Sequence, residues 1–216
     1  MIVIVMGMHR SGTSALAGML HQNGIIMEDP NNLRYISPHE NSKGFFENYR
    51  FRALNDQILY QNGYSAKSFS PMTPDYIEVT EQDTSIIRSL LHEYDERYTT
   101  WGFKDPRMCL TYNAWKPFLQ KPYTDQEIKI VIMYRPFEDI ADSMIRRGNQ
   151  GKKSKFIALS KEYYRKALKD VEQFSAVIKF ENLINHTQAV ADFLSEWLGW
   201  TITDTSFIDK RLSNQL

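Results

Sequence analysis

The chain has 216 residues, of which 42% are hydrophobic and 24% charged; this is enough for one well-buried α/β domain over residues 1–216 and short for two. Its 26 basic and 26 acidic residues cancel, so the composition gives no support for a protein that coats nucleic acid or adsorbs to membranes. Any anion site must therefore come from a local concentration of Arg and Lys.

Cysteine content and hydropathy indicate the cellular compartment in which the protein is expected. The lone Cys109, expected to be a small buried residue at a helix start, excludes an intrachain disulfide and a CxxC motif and fits a reducing compartment. No apolar run approaches the roughly 20 residues that span a bilayer, and residues 1–6 are too short for a signal-peptide core. We therefore expect a cytoplasmic protein with no integral membrane segment.

The first motif joins a strand to a helix. The apolar residues 3–6 lead into a glycine-bracketed turn, Gly7-Met8-His9-Arg10-Ser11-Gly12, and a helix is predicted from Ser11 or Gly12 to Gln22. Glycines in such a turn let successive N–H groups point at an anion on the helix N-terminus. The pattern predicts a phosphate-binding loop.

This turn differs from the nucleotide triphosphatase loop in one place. The pattern G-x-x-x-x-G-K-[ST] requires a lysine directly after the second glycine, where it reaches the β- and γ-phosphates. Here that position is Thr13, and the cation is Arg10, two residues before Gly12. The expected ligand is phosphorylated, but the loop is not typical of a triphosphatase.

The rest of the chain alternates helices and strands. Residues 28–44 and 64–80 are predicted to be irregular and 148–156 to form a basic loop. We predict a helix directly after Arg135-Pro136, further helices at 47–62, 82–98, 107–119, 157–174 and 186–198, the last capped by Asn185, and strands at 101–104, 128–134 and 176–180. The alternation implies a three-layer α/β/α fold with a central parallel sheet.

Polar groups follow three of the predicted strands. They are His9-Arg10-Ser11, Lys104-Asp105-Pro106-Arg107 and Arg135. Parallel sheets bind ligands outside the carboxyl ends of their strands, so these groups should meet at one edge. Cations that converge there with a helix N-terminus suit a ligand bearing several phosphates.

Several motifs resemble those of the PAPS-dependent sulfotransferases. Arg10-Ser11-Gly12-Thr13 resembles their 5′-phosphosulfate loop, Lys/Arg-Ser-Gly-Thr, and Arg135 and Ser143 have the Arg-x7-Ser spacing that holds the 3′-phosphate. Two more segments, 41–48 and 104–107, resemble a bacterial branch of the family, and residues 179–183 resemble a strand end found late in the family. The Arg-Lys-Gly-x-x-Gly-x-Trp motif of the cytosolic enzymes is missing, and the basic loop 151–155 is the candidate to replace it.

The resemblance implies a P-loop sulfotransferase that moves a sulfuryl group from PAPS to a hydroxyl or amine of a small-molecule, lipid or glycan acceptor and releases PAP. It implies no metal. The balanced charge, in turn, leads us to expect no nucleic-acid partner. Acceptor specificity is expected to reside in 28–48, 64–80 and 148–156. The implied PAPS contacts are His9, Arg10, Ser11, Gly12, Thr13, Ser14, Arg135 and Ser143, and the implied catalytic groups are Arg10, Lys104 and a carboxylate base, with Glu47 favoured over Glu40 and Asp105.

Other interpretations stay open. A P-loop small-molecule kinase would need Mg²⁺ and ATP, and a catalytically silent nucleotide-binding protein would keep the fold without the reaction. Arg135 could form a surface salt bridge with Glu138 or Asp139. Glu47 could simply complement a helix dipole.

Overall fold

The computed structural model describes residues 1–28, 44–171 and 175–209. Four strands form a parallel sheet in the order β2-β1-β3-β4: β1 (Ile2–Met6), β2 (Trp101–Lys104), β3 (Ile128–Tyr134) and β4 (Ser175–Lys179). Short 3₁₀ turns occur at Ala66–Ser68 and Lys116–Phe118. The α-helices are α1 (Thr13–Gln22), α2 (Tyr49–Gln61), α3 (Glu81–Arg97), α4 (Met108–Trp115), α5 (Phe137–Arg146), α6 (Lys153–Asp170), α7 (Phe180–Asn185) and α8 (Thr187–Leu198).

Both faces of the sheet are covered by helices. Alternate residues of a strand point to opposite faces. Ile4 and its neighbours on one face pack with α2 to α6, whereas Val3 and Val5 on the other face pack with α1, α7 and α8. All five residues of β1 are buried. The predicted three-layer α/β/α fold is confirmed.

An aromatic cluster fixes α2 beside the sheet edge. The Phe51 ring stacks on Phe103 of β2, with centroids 4.5 Å apart, and on Trp115 of α4 at 5.4 Å. Such ring pairs add stability beyond their buried area and restrict orientation. The N-terminus of α2, where Asn48 Oδ1 accepts a hydrogen bond from Arg50 N, is thereby held near the carboxyl end of β2.

The helix that follows the basic loop begins earlier than predicted. α6 starts at Lys153 rather than at residue 157, because Phe156 and Leu159 already belong to its buried stripe. The predicted basic loop 148–156 is therefore partly helix. The predicted helix end at 172–174 lies outside the described residues, as do residues 29–43 of the predicted irregular segment.

Two other helix boundaries were also wrong. The helix predicted over 107–119 ends at Trp115 and tightens into a 3₁₀ turn, where Pro117 has no N–H to continue an α-helix. Asn185 does not cap the last helix but lies at the end of α7, and His186, at ψ +44°, separates α7 from α8. Cys109 is buried near the start of α4, as predicted.

Candidate active site

The carboxyl ends of three neighbouring strands lie side by side at one edge of the sheet. Val5 is in register with Lys104 of β2 and with Val131 of β3. The turn 7–12 after β1, Asp105 after β2 and Arg135 after β3 therefore lie at the same edge. The structure thus brings together the three polar groups that the sequence pointed to.

The turn between β1 and α1 requires glycine at both ends. Gly7 has φ +150° and Gly12 has φ +97°. A Cβ on Gly7 would lie 2.6 Å from the Met133 carbonyl oxygen, and one on Gly12 would lie 2.4 Å from a carbon of the Phe180 ring. Arg10 between them also has a positive φ, +70°, which is uncommon for a non-glycine residue. The turn is therefore sterically defined by its neighbours on β3 and α7.

Arg10, Arg135 and Ser143 form one connected group. Arg135 Nη1 donates a hydrogen bond to the Arg10 carbonyl oxygen at 3.1 Å, and Arg10 Nε donates to Ser143 Oγ at 3.0 Å. The Arg135 guanidinium lies 4.4 Å from the Phe180 ring centroid, and its buried Nε has no hydrogen-bond partner among the described residues. Burial lowers the pKa of Arg135. A buried guanidinium with an unused donor is a group that a bound anion would satisfy.

A cleft of about 490 Å³ opens in front of the turn. Among the described residues that line it, six side chains are cationic and one, Glu47, is acidic. That imbalance contrasts with the zero net charge of the whole chain and makes the cleft an anion-binding environment. The cations are Arg10, Arg52, Lys67, Lys104, Arg107 and Arg147, and the predicted loop residues His9, Gly12, Thr13 and Ser14 also line it.

The predicted loop side chains differ in whether they line the cleft. Thr13 and Ser14 begin α1 beside the cleft, and no described side chain caps that helix. Ser11 is fully buried and does not belong to the described cleft wall. Among the loop side chains, those of Thr13 and Ser14 are therefore better placed than that of Ser11 for direct ligand contact.

Glu47 and Lys104 form an ion pair in the cleft. Lys104 Nζ lies 2.7 Å from Glu47 Oε1, with the Lys104 side chain 1% exposed and the Glu47 side chain 15% exposed. Burial alone would raise the pKa of Glu47, but Lys104 and Arg107 outweigh it and lower the pKa to about 2. Glu47 is therefore a carboxylate at neutral pH. The second predicted base, Glu40, lies outside the described residues.

Asp105 lies below the cleft rather than in it. The buried carboxylate accepts hydrogen bonds from Asn55 Nδ2 at 2.9 Å, from Arg107 N at 2.9 Å and from Arg107 Nη1 at 2.8 Å. Asp105 is not part of the described cleft wall, whereas Arg107 is. These contacts make Asp105 a group that orients Arg107.

We predict that Asp105→Ala lowers the free energy of unfolding by about 3–5 kcal/mol, because it removes the buried carboxylate that pairs with Arg107 at 2.8 Å and leaves the buried Asn55 Nδ2 and Arg107 N without their acceptor. Urea denaturation measures the change. The exposed Asp125, paired with Lys121 at 3.2 Å, is the matched control, and Asp125→Ala should change stability by less than about 1 kcal/mol. A loss of similar size in both variants would contradict the structural role.

His9 lines the cleft as a neutral side chain. Its ring lies 5.8 Å from Phe69 in an edge-to-face arrangement and 5.9 Å from Tyr163, and its Nε2 has no hydrogen-bond partner among the described residues. Burial, helped by the charge of Arg107, lowers the pKa of His9 to about 3. His9 can therefore accept a hydrogen bond or donate one at neutral pH without carrying charge.

This pKa predicts acid lability. Below about pH 6.5 the unfolded chain takes up a proton on His9, whereas the folded chain does not. The contribution of His9 to the free energy of unfolding is therefore complete above that pH and falls as the pH drops toward about 3. His9→Phe should make the loss shallower by up to about 1.4 kcal/mol per pH unit. Denaturation from pH 7 to about pH 4 measures it. Equal slopes for His9→Phe and the unmodified protein would refute the assignment.

Sequence reasoning missed part of the cleft wall. Arg52, Lys67, Phe69 and Arg147 line it, and Phe69 has φ +48°, an outlier for a bulky residue. Strained residues of this kind cluster at functional sites. Lys67 and Phe69 lie within the predicted specificity segment 64–80, but no local pattern distinguishes them there.

The predicted basic loop points elsewhere. Lys153 Nζ lies 2.7 Å from Asp142 Oδ1, and Lys155 Nζ donates a hydrogen bond to the Ser68 carbonyl oxygen at 2.9 Å. Gly148 and Asn149 line the cleft, and these two lysines do not belong to its described wall. A role for residues 151–155 at the 3′-phosphate has no support from these contacts.

Two absences concern the described residues alone. Within 1–28, 44–171 and 175–209, no three His, Cys, Asp or Glu side chains are grouped so that they could hold a metal ion. In the same part of the chain, none of the helices combines the length and apolar character needed to cross a bilayer.

Comparison with known proteins identifies the fold. The sulfotransferase domain from the Synechococcus PCC 7002 olefin synthase superposes with a TM-score of 0.57 at 14% identity, covering 97% of this chain and 76% of that one. The sulfotransferase domain from the curacin biosynthetic pathway also gives 0.57, at 15% identity, over 99% and 89% of the two chains. No protein-family model and no curated protein sequence matches. The chain therefore has the fold of sulfotransferase domains, in agreement with the resemblance of its motifs.

Proposed function

We propose that this protein is a PAPS-dependent sulfotransferase, which moves a sulfuryl group from PAPS to a hydroxyl or amine of a small-molecule, lipid or glycan acceptor. The observation that carries the proposal is the contact between the two motifs of the resemblance. Arg135 and Ser143 reach Arg10 across 125 and 133 residues of sequence, respectively. Their convergence supports a single ligand with phosphates at both places. A cytoplasmic location is part of the proposal.

The residues present fit such a ligand. The start of α1 and the side chains of Thr13 and Ser14 suit the 5′-phosphosulfate, because helix N-termini favour anions. The buried Arg135 Nε and the hydroxyl of Ser143 suit the 3′-phosphate. No bound metal is needed to balance the ligand charge where cations outnumber carboxylates in this way.

The proposed chemistry needs a base and a stabilised leaving group. PAPS, when bound, supplies a sulfuryl group on an anionic leaving group, and the acceptor must lose a proton. In our proposal Glu47 accepts that proton on a carboxylate oxygen, and Arg10 and Lys104 stabilise the negative charge. An anion beside Lys104 competes with Glu47 for its ammonium, which raises the pKa of Glu47 from about 2 toward the ordinary carboxyl range.

Calorimetry with PAP and with ATP plus Mg²⁺ tests the proposal. We expect PAP to bind about tenfold or more tightly than ATP, since Thr13 replaces the lysine that a kinase loop presents to the β- and γ-phosphates. Tighter binding of ATP would favour the small-molecule kinase. PAP binding without sulfate transfer from PAPS to any of a broad set of alcohols, phenols and amines would favour the silent nucleotide-binding protein.

A further inference from the structure

Two cations of the cleft lie apart from the proposed PAPS contacts. Arg52 belongs to α2 and Lys67 to the 3₁₀ turn that follows it, and α2 packs against α3 and α4 on the β2 side of the sheet. Arg135 follows β3 and stacks on Phe180, which follows β4. The strand order β2-β1-β3-β4 therefore puts Arg52, with Glu47 and Lys104, on the β2 side of the turn 7–12 and Arg135 on its other side. Lys67 lines the same cleft as Arg52.

The positive charges of Arg52 and Lys67 are incompletely neutralised by described carboxylates. Arg52 lies 3.8 Å from Glu47 and 3.9 Å from Asp56, but each carboxylate has a closer cationic partner. Lys104 lies 2.7 Å from Glu47, and Arg107 lies 2.6 Å from Asp56. Lys67 forms no ion pair within 4 Å with a carboxylate of the described residues. Arg52 and Lys67 can therefore interact with a further negative charge.

Two aromatic side chains line the same cleft. The strained Phe69, two residues after Lys67, holds its ring edge-to-face against His9 and against Phe156. Phe45 also lines the cleft, with the Arg147 guanidinium 5.7 Å from its ring centroid. An apolar wall beside two cations is typical of a pocket that binds an organic anion.

We propose that the acceptor is an organic anion, whose carboxylate, phosphate or sulfate group binds at Arg52 and Lys67 while its apolar part packs on Phe69. This inference rests on the proposed function, since it places the acceptor in the same cleft as the proposed 5′-phosphosulfate contacts. In the reaction the acceptor O–H bond breaks and its proton passes to Glu47. The acceptor oxygen bonds to sulfur, and the sulfur–oxygen bond to the phosphate breaks, leaving its electron pair on PAP.

Matched probes test the acceptor class on the full chain saturated with PAP. The probes share a phenol ring and differ in one substituent: 4-hydroxyphenylacetate, 4-hydroxybenzylphosphonate, 4-hydroxybenzylsulfonate and the neutral 4-hydroxyphenylacetamide. Calorimetry should show at least one anionic probe binding about tenfold or more tightly than the amide. The preference should shrink as salt is added, because the cations are near the surface. The best anion distinguishes carboxylate from phosphate and sulfate acceptors.

Two variants test whether the preference for anionic probes depends on Arg52 and Lys67. Arg52→Ala and Lys67→Ala should each reduce it by about threefold or more while PAP affinity stays within about twofold. Both side chains are exposed, so neither change should disturb the core. The matched controls Arg88→Ala and Lys161→Ala remove exposed cations that are not part of the described cleft wall, and they should leave the preference unchanged.

The outcomes separate this inference from the proposed function. If PAP binds but no anionic probe binds more tightly than the amide, or none of the four binds, the acceptor class is wrong and the sulfotransferase proposal survives. A preference that persists in both variants also overturns the assignment to Arg52 and Lys67. If PAP itself does not bind, the proposed function fails and the acceptor inference fails with it.

Discussion

Arg135→Ala is expected to weaken PAP binding by roughly 30-fold to several thousand-fold, corresponding to about 2–5 kcal/mol. Arg135 is 8% exposed; its guanidinium stacks on Phe180 and donates a hydrogen bond to the Arg10 carbonyl oxygen. A phosphate bound there would interact with a desolvated guanidinium, which is where charge-assisted hydrogen bonds are strongest. Calorimetric titration of PAP into the wild type and the variant measures the loss.

Two companion variants separate a direct contact from a general charge effect. Arg135→Lys keeps the charge but loses the planar fork, so it should recover only part of the affinity. Arg146→Ala removes a nearby exposed cation on α5 that contributes to lowering the pKa of Arg135, and it should change PAP affinity by less than about threefold. Unchanged affinity in Arg135→Ala, with the fold intact by circular dichroism, would eliminate the 3′-phosphate assignment.

Glu47→Gln is expected to lower kcat by about 10²- to 10⁴-fold with little change in PAP affinity, because glutamine cannot take the acceptor proton. The carboxylate lies in the cleft beside Lys104 and is ionised at neutral pH. A base works in its deprotonated form, so kcat/KM should be lost only as the pH falls toward about 2, the pKa of Glu47 in the free protein. The value of kcat should be lost at a higher pH, because the bound donor raises the pKa of Glu47. Initial rates with a true acceptor measure both effects.

The buried lysine needs its own control. Glu47→Gln leaves Lys104 without its partner, and an unpaired buried charge destabilises by several kcal/mol. The double variant Glu47→Gln with Lys104→Met removes both charges and should recover stability but not turnover. Glu162→Gln, which breaks an ion pair with Arg165 outside the described cleft wall, should keep full activity. Full activity in Glu47→Gln would remove Glu47 as the base.

The fold was predictable because its signals are local. The β-branched runs at 2–6 and 128–134 read as buried strands, and the glycine-bracketed turn 7–12 marked the junction with α1. The helix ends were less predictable. α6 begins at Lys153 and α7 separates from α8 at His186, because tertiary packing rather than any local pattern decides where a helix stops.

The candidate site was partly predictable for the same reason. Arg10, Lys104 and Arg135 follow strands, and parallel strands bring their carboxyl ends to one edge. Asp105 shows the limit of that argument. It is adjacent in sequence to Lys104, yet its carboxylate is turned inward to Arg107 and Asn55, an orientation that no spacing encodes.

The sequence by itself determined the parallel α/β architecture and the two motifs, and it predicted an anion-binding role for the turn 7–12, because each depends on residue types at short spacing. Only the tertiary structure decided that Arg135 and Ser143 contact Arg10, that Lys104 lowers the pKa of Glu47, and that Arg52, Lys67 and Phe69 line the cleft. These last relations join segments far apart in the chain. They arise from strand order and from the packing of α2 against its neighbours, which set distances that sequence separation does not.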